Sequence, residues 1–196
     1  MTKRKEGLIM RFQDIPKFTP DGSYQVDIPL AFLERNLSSY DEAYGLHLNP
    51  DFQRGNVWSE EQQIKWLEFF FRGGRTANII YFNCPDFSAH KSELCDIQGM
   101  YCVDGLQRLT AMRRFLKNEI PIFGTYCNEF EDSNVLYSIS IKFNVNCLQT
   151  RKDMLQWYID MNSGGTVHSE EEINRVKKLL TACDKQPPKS KNEPTR

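Results

Sequence analysis

The chain has 196 residues, of which 40% are apolar, 12% aromatic and 26% charged. This composition is typical of a globular domain and excludes a mainly disordered chain. The net charge of −1 excludes a general polycation, so any nucleic-acid contact must come from a local patch or through a bound nucleotide. No apolar run approaches the roughly 18 to 20 residues that span a bilayer, so we expect no membrane contact.

The N-terminal residues and the cysteines bear on the cellular location of the chain. An apolar run of only three residues, 8–10, precedes Arg11, and this run is too short for a signal-peptide core. The six cysteines have scattered spacings without a Cys-x-x-Cys pair, which indicates reduced thiols and argues against a zinc ribbon. We therefore expect a cytoplasmic location.

Composition divides the chain into three regions. Residues 1–23 are basic and then polar, with two prolines, and predict a flexible N-terminal arm. Residues 24–182 are long enough for one domain with a real core. Residues 183–196 contain three prolines and scattered lysines, which predicts a disordered tail.

Periodicity and turn residues predict the elements of the domain in chain order. Pro29 opens the first helix, Ser59 and Gln62 form a capping-box pattern for the second, and Thr150 caps a later one. Residues 38–47 and 84–99 are expected to be connections. We expect strands over 24–28, 78–83, 101–103, 120–123 and 135–145, and helices over 29–37, 59–72, 106–118, 150–162 and 169–180.

The central feature is a strand, a tight turn and a helix over residues 101–116. Asp104 and Gly105 form the turn, and we place Asp104 at the helix N-cap. Gln107 and Arg108 follow in the first helical turn. A helix N-terminus offers free N–H groups and a positive dipole end, so an acid, an amide and a guanidinium meet where a phosphate could bind. A plain capped helix with solvated charges is the alternative.

Two other stretches carry polar side chains beside turns. In residues 48–58, Gln53 and Arg54 follow an aromatic residue and precede a helix. Arg54 could face a phosphate, or it could be a surface arginine paired with Glu60 or Glu61. In residues 162–165, Asn162 precedes Gly164 and Gly165 at the end of a helix.

These three stretches, in this order, resemble the signatures of the ParB/sulfiredoxin-like domain that begins GmrSD-type, modification-dependent restriction enzymes. Residues 104–108 are similar to its Asp-Gly-Gln-Gln-Arg motif, 50–58 to its Pro-x-aromatic-Gln-Arg-x-x-x-Trp signature, and 162–165 to its Asn-x-Gly-Gly segment. The resemblance spans about residues 28–180. It implies an α/β (α+β) fold, a single ParB/sulfiredoxin-like domain with a small mixed sheet and surrounding helices. Leu106 stands where the family has the first Gln of its pair.

The resemblance also implies a shared cleft that binds an NTP, with Mg²⁺. Asp104 is the expected metal ligand, because a carboxylate beside phosphates can hold a divalent cation or orient an attacking hydroxyl. The sequence has no Walker-A motif, so any nucleotide chemistry is not of the P-loop kind. We assign catalytic roles to Asp104, Gln107 and Arg108, and nucleotide-binding roles to Gln53, Arg54, Gly105, Asn162, Gly164 and Gly165.

We therefore expect a domain that hydrolyses or transfers an NTP phosphate, acting on or beside DNA in restriction or phage–host conflict. The expected partners are a nucleotide, DNA, and a nuclease or restriction partner protein. One alternative is a kinase that phosphorylates a hydroxyl on a DNA base or a small molecule. Another is a non-enzymatic adaptor or decoy that regulates a restriction system, which Leu106 favours slightly. With three histidines in all, at 47, 90 and 168, the chain is not expected to contain a His-Asn-His nuclease.

Overall fold

Five helices and five strands make up the domain in a computed structural model that describes residues 24–53, 57–74, 76, 78–87, 95–163 and 170–184. A short 3-10 turn, Leu30–Phe32, leads into the first helix. The strands are β1 (Tyr24–Pro29), β2 (Leu46–His47), β3 (Ile79–Asn83), β4 (Met100–Asp104) and β5 (Ser140–Asn146). The helices are α1 (Leu33–Tyr44), α2 (Glu60–Phe71), α3 (Leu106–Leu116), α4 (Arg151–Ser163) and α5 (Glu170–Asp184).

The strands form one mixed sheet in the order β1-β5-β3-β4-β2. The β1–β5 and β3–β4 pairs are antiparallel, whereas β3–β5 and β2–β4 are parallel. This arrangement confirms the predicted α/β class with a small mixed sheet. Strand β4, which leads into the central turn, lies next to the short edge strand β2.

Side chains alternate between two hydrophobic cores, one on each face of the sheet. Ile141, Phe143 and Val145 of β5 join the first core with residues of α1, α2 and α3. Val103 of β4 joins the second core with residues of α4 and α5. Because successive residues of a strand point to opposite faces, β4 contributes to both cores, and its C-terminal end is held between two layers of helices.

Two of the caps predicted from the sequence, at Ser59 and Thr150, are confirmed, whereas Pro29 ends β1 and α1 begins only at Leu33. The Ser59 hydroxyl accepts from the N–H of Gln62, and the Gln62 side chain accepts from the N–H of Ser59, which completes the capping box. Thr150 Oγ1 accepts from the N–H of Asp153 at the start of α4. Gly73 ends α2 with a φ of 87°. None of the described helices is long and apolar enough to cross a membrane.

Other predicted segments also differ from the structure, and the connection predicted over 38–47 contains β2, Leu46–His47. Residues 38–44 continue α1 instead of forming a connection, because Tyr40 and Tyr44 pack against the first core. The strand predicted over 135–145 begins only at Ser140, where β1 begins to pair with β5. Residues 135–139 pair with none of the strands in the described part of the chain, and Ser133–Tyr137 form a 3-10 helix. Residues 120–123 form no strand among the described residues, and Ile122 makes an isolated bridge to Thr125.

Helix α5 extends the predicted last helix to Asp184. The arm predicted over residues 1–23 and residues 185–196 of the predicted tail lie outside the described residues. The limits of the three predicted regions stay predictions.

Candidate functional site

The central turn is built from β4, Gly105 and α3. Asp104 is the last residue of β4 and Gly105 is the N-cap of α3, so the placement of Asp104 at the N-cap is wrong. Asp104 stays in the strand because it is paired with Tyr81 of β3. Gly105 has a φ of 103°, a left-handed conformation that favours glycine. Glycine has no side chain to act as a cap, so Gly105 makes no side-chain hydrogen bond to the first N–H groups of α3.

A β-bulge in β4 changes the direction of the C-terminal end of the strand. Phe82 lies opposite Cys102, but the preceding residue, Tyr81, lies opposite Asp104, so β4 has one extra residue, Val103. Such bulges bend a strand and change the direction of its side chains. The bulge therefore sets the direction of the Asp104 carboxylate at the start of α3.

Asp104 and Arg108 form an ion pair across the first turn of α3. The Arg108 Nη2 atom lies 2.5 Å from the Asp104 Oδ2 atom. The Arg108 side chain is 13% exposed and the Asp104 side chain 34% exposed. The guanidinium is therefore held in place by its surroundings, while the carboxylate remains open to solvent on one side.

Residues 52, 53, 57 and 58 form hydrogen bonds to β4, α3 and α5 beside this turn. The Gln53 amide donates to the Cys102 carbonyl at 2.5 Å. The Gln107 Oε1 atom accepts from the N–H groups of Val57 and Trp58, each at 3.0 Å. Arg175 of α5 donates to the Phe52 carbonyl at 2.9 Å. Both glutamines therefore hold described residues of the segment 48–58, Gln53, Val57 and Trp58, beside the β4–α3 turn.

The structure brings together Gln53, Asp104, Gly105, Gln107 and Arg108, which were predicted to share a site. Asn162 lies at the end of α4, and its amide donates to the Tyr158 carbonyl at 2.6 Å, a bond within its own helix. This bond does not connect Asn162 to the β4–α3 turn. The other three predicted residues, Arg54, Gly164 and Gly165, lie outside the described residues.

Two positioning contacts were missed by the sequence analysis. Arg151 Nη2 bonds both carboxylate oxygens of Asp51, at 2.9 and 2.7 Å, and Arg175 binds the Phe52 carbonyl. The partners in these contacts are separated by 100 and 123 residues. No local pattern in the sequence signals such pairs.

Two apolar features limit the chemistry of the site. Burial raises the pKa of the Cys102 thiol to about 12, so this cysteine is not a thiolate nucleophile at neutral pH. Leu106, which replaces a Gln of the family motif, is 8% exposed and belongs to the first core. The side chain at position 106 is therefore apolar and packed in the first core.

Replacing Gly105 with alanine is expected to lower the free energy of unfolding by about 2–4 kcal/mol, because it combines left-handed strain with overpacking. A Cβ atom there would lie 2.6 Å from Ile80 Cδ1 and 3.2 Å from Ile80 Cα. Urea denaturation measures the change. The matched control is Gly73→Ala, which has a φ of 87° but no atom within 4 Å of the new Cβ. Equal losses in the two variants would contradict a close approach at Gly105.

The fold is that of an α/β domain with a mixed five-stranded sheet and helices on both faces. The family model described as the GmrSD restriction endonuclease, N-terminal domain, matches residues 33–187, which is most of the chain. The chain belongs to this family. Membership confirms the resemblance to GmrSD-type enzymes and gives the chain a restriction-system context. Searches of curated proteins and of solved structures found no match.

Proposed function

We propose that the chain is a nucleotide-binding domain of a restriction system that hydrolyses or transfers an NTP phosphate, on or beside DNA. The observation that best supports this function is the Asp104–Arg108 pair at the glycine-capped start of α3. A carboxylate, a fixed guanidinium and a helix N-terminus are the groups that phosphoryl transfer requires for binding and charge stabilisation.

The phosphate would be held by Arg108 and by the first N–H groups of α3. A guanidinium has five N–H donors, so Arg108 can hold the Asp104 carboxylate and a phosphate oxygen at once. The dipole of α3 adds a partial positive charge at the same end. Gln53 and Gln107 would keep the segment 48–58 in place beside the phosphate, which would allow Arg54 to contribute a second guanidinium.

The side chains at the site suit Mg²⁺ better than a metal ion that is coordinated by protein side chains alone. Within the described part of the chain, no group of three or more His, Cys, Asp or Glu side chains could hold an ion. Mg²⁺ is commonly bound through one or two carboxylates, with phosphate oxygens and water as the other ligands. Asp104 would supply that carboxylate, and the bound ion would neutralise phosphate charge.

Whether the domain acts as a hydrolase or as a kinase depends on the group that accepts the phosphate. The Asp104 carboxylate is partly exposed, so it can orient a water molecule or a substrate hydroxyl and accept its proton. Both acceptors fit the same open side of the pair. A hydroxyl on a DNA base or a small molecule would make the domain a kinase.

A non-enzymatic adaptor or decoy is the second candidate, and the burial of Leu106 favours it. An amide of the family motif is replaced here by a core residue, so one polar contact of the site is lost. A nuclease or another restriction protein would then be the partner on which the domain acts.

An NTP labelled at the γ-phosphate distinguishes these functions in one assay. The purified chain is incubated with each NTP, Mg²⁺ and DNA, and the label is followed. Release of free phosphate supports hydrolysis, and transfer of label to DNA or to an added small-molecule alcohol supports the kinase. If the label stays on every NTP tested, the adaptor function is supported and phosphate chemistry is contradicted.

DNA binding is expected to be modest, with a log–log salt slope of about −2 to −4, because few phosphates can be neutralised. The net charge is −1, and the basic residues Lys3, Arg4, Lys5 and the lysines beyond Asp184 lie near the ends of the chain. Fluorescence anisotropy at several salt concentrations measures the slope. Removing residues 1–10 and 185–196 should weaken DNA binding but preserve nucleotide hydrolysis. Loss of hydrolysis in the truncated chain would show that the ends help to build the site.

A further inference from the structure

Residues 119–139, between α3 and β5, concentrate exposed apolar side chains. Of the nine large apolar side chains that are exposed among the described residues, five lie in this segment, and a sixth, Phe32, packs edge-on against Tyr137 at 5.3 Å. Scattered single exposures are ordinary, but a cluster of this kind marks an interaction site. We refer to residues 119–139 together with Phe32 as the acidic–aromatic face. Its exposed apolar residues in the segment are Phe123, Tyr126, Phe130, Val135 and Tyr137.

The same face has one sign of charge. Residues 119–139 contain four acidic residues and no Lys or Arg. Glu119 is paired with Arg114. The other three, Glu129, Glu131 and Asp132, are exposed, and none of them forms an ion pair with another described residue. The aromatic cluster is therefore bordered by negative charge that no other described residue neutralises in an ion pair.

Phe123 lies at the tip of a strained turn on this face. Ile122 and Thr125 exchange two backbone hydrogen bonds, and the central residues Phe123 and Gly124 have φ values of 48° and 77°. Positive φ at both central residues is the signature of a type I′ turn, for which Asn-Gly is the favoured pair. An aromatic residue at the first position is costly for the backbone, and such strain is often found at functional sites. The Phe123 side chain is nevertheless 57% exposed, so little packing within the chain compensates for that cost.

A cavity behind this turn provides space for one apolar side chain of a binding partner, which we call the anchor. It has a volume of about 240 Å³ and is open to solvent beside Phe123 and Phe130. An engineered apolar cavity of about 150 Å³ already accommodates a benzene ring, so one aromatic or large aliphatic side chain fits here. The lining is mainly apolar and includes Phe71, Phe115, Ile122, Leu136 and Ile139.

We propose that the acidic–aromatic face binds a segment of a partner protein that carries Lys or Arg on both sides of an aromatic or aliphatic anchor. The anchor would enter the cavity and pack against Phe123, and the basic residues would face Glu129, Glu131 and Asp132. A second copy of the chain is disfavoured, because it would place the two acidic faces against each other. DNA and anionic lipid are disfavoured by the same repulsion. This surface is independent of the proposed nucleotide chemistry.

The test selects 12-residue peptides from a random display library with the full chain as bait, and then measures their affinity by fluorescence anisotropy. Enriched peptides are expected to contain an apolar anchor flanked by Lys or Arg, and to bind more weakly as salt is added. The Phe123→Asn variant should lose at least about tenfold in affinity, as expected for an anchor contact. Its melting temperature should be unchanged or higher, because asparagine suits the turn.

Phe69→Gln is the matched control, since Phe69 is 47% exposed on α2, outside the face, and peptide affinity should not change. A second variant, Glu131→Lys with Asp132→Lys, should also weaken binding while the fold is retained. The proposal is overturned if no peptide is enriched, if the enriched peptides are acidic or purely polar, or if they bind Phe123→Asn as tightly as the wild type.

Discussion

The Arg108→Ala variant is expected to lose nucleotide binding by at least about tenfold while the chain stays folded. Charge-assisted hydrogen bonds contribute about 1.5–3 kcal/mol each, and Arg108 is placed to make such a contact with a phosphate at the start of α3. The stability cost should be small, about 1 kcal/mol or less, because the partner Asp104 is 34% exposed and can be solvated when the guanidinium is removed. Isothermal titration calorimetry gives the affinity, and circular dichroism verifies the fold.

Two variants make the Arg108 result specific. Arg114→Ala removes an arginine from the same helix, but one that binds Glu60, Glu119 and Gln63 away from the turn. Its nucleotide affinity should equal that of the wild type. Arg108→Lys keeps the positive charge but loses the planar fork, and its affinity should be intermediate. A folded Arg108→Ala chain with unchanged affinity would place the phosphate elsewhere.

The Asp104→Asn variant is expected to keep nucleotide binding but to lose turnover by at least about 100-fold. Asparagine is nearly isosteric and its oxygen can still accept from Arg108. It carries no charge, so it holds a cation poorly and does not act as a general base, a role worth about 100-fold or more. Removing a negative charge beside the phosphates does not oppose binding. Steady-state phosphate release gives the rate, and calorimetry gives the affinity.

The control for Asp104→Asn is another aspartate in an ion pair. Asp27 of β1 lies 3.0 Å from Lys142 Nζ, and β1 is three positions away from β4 in the sheet order. Asp27→Asn should leave turnover unchanged. If Asp104→Asn turns over nucleotide at the wild-type rate, Asp104 serves only to position Arg108, and the proposed chemistry fails.

The strand–turn–helix around Asp104 was predictable because its signals are local. The turn requires a residue in the left-handed conformation, which glycine adopts readily, and Gly105 signals this. The apolar spacing that predicts α3 can be read directly from the sequence. The N-cap was misplaced by one residue, since β4 extends through Asp104 by pairing with Tyr81. That pairing depends on a strand more than twenty residues earlier, and a bulge shifts its register. Neither the pairing with Tyr81 nor the bulge can be inferred from the sequence of the turn.

The segment 48–58 illustrates the other limit of sequence reasoning. Its polar residues marked it as part of a site, but the contacts that hold it come from Cys102, Gln107 and Arg175. These partners are distant in the sequence, and only the packing of α3 and α5 against the sheet brings them close. The segment 135–139 was misassigned for a related reason, because alternation alone does not supply a neighbouring strand.

A thermal-shift screen of ATP, GTP, CTP, UTP and the deoxynucleotides, with and without Mg²⁺, tests the central claim most directly. A ligand present at 100 times its dissociation constant stabilises the native state by about 2.7 kcal/mol. For a chain of this size that corresponds to a rise in melting temperature of roughly 5–10 °C. We predict such a rise for at least one nucleotide, larger with Mg²⁺. In Arg108→Ala the rise should fall to about half or less, because a tenfold loss of affinity lowers the stabilisation to about 1.4 kcal/mol. No rise with any nucleotide, or an equal rise in the folded Arg108→Ala chain, would contradict a nucleotide site at the start of α3.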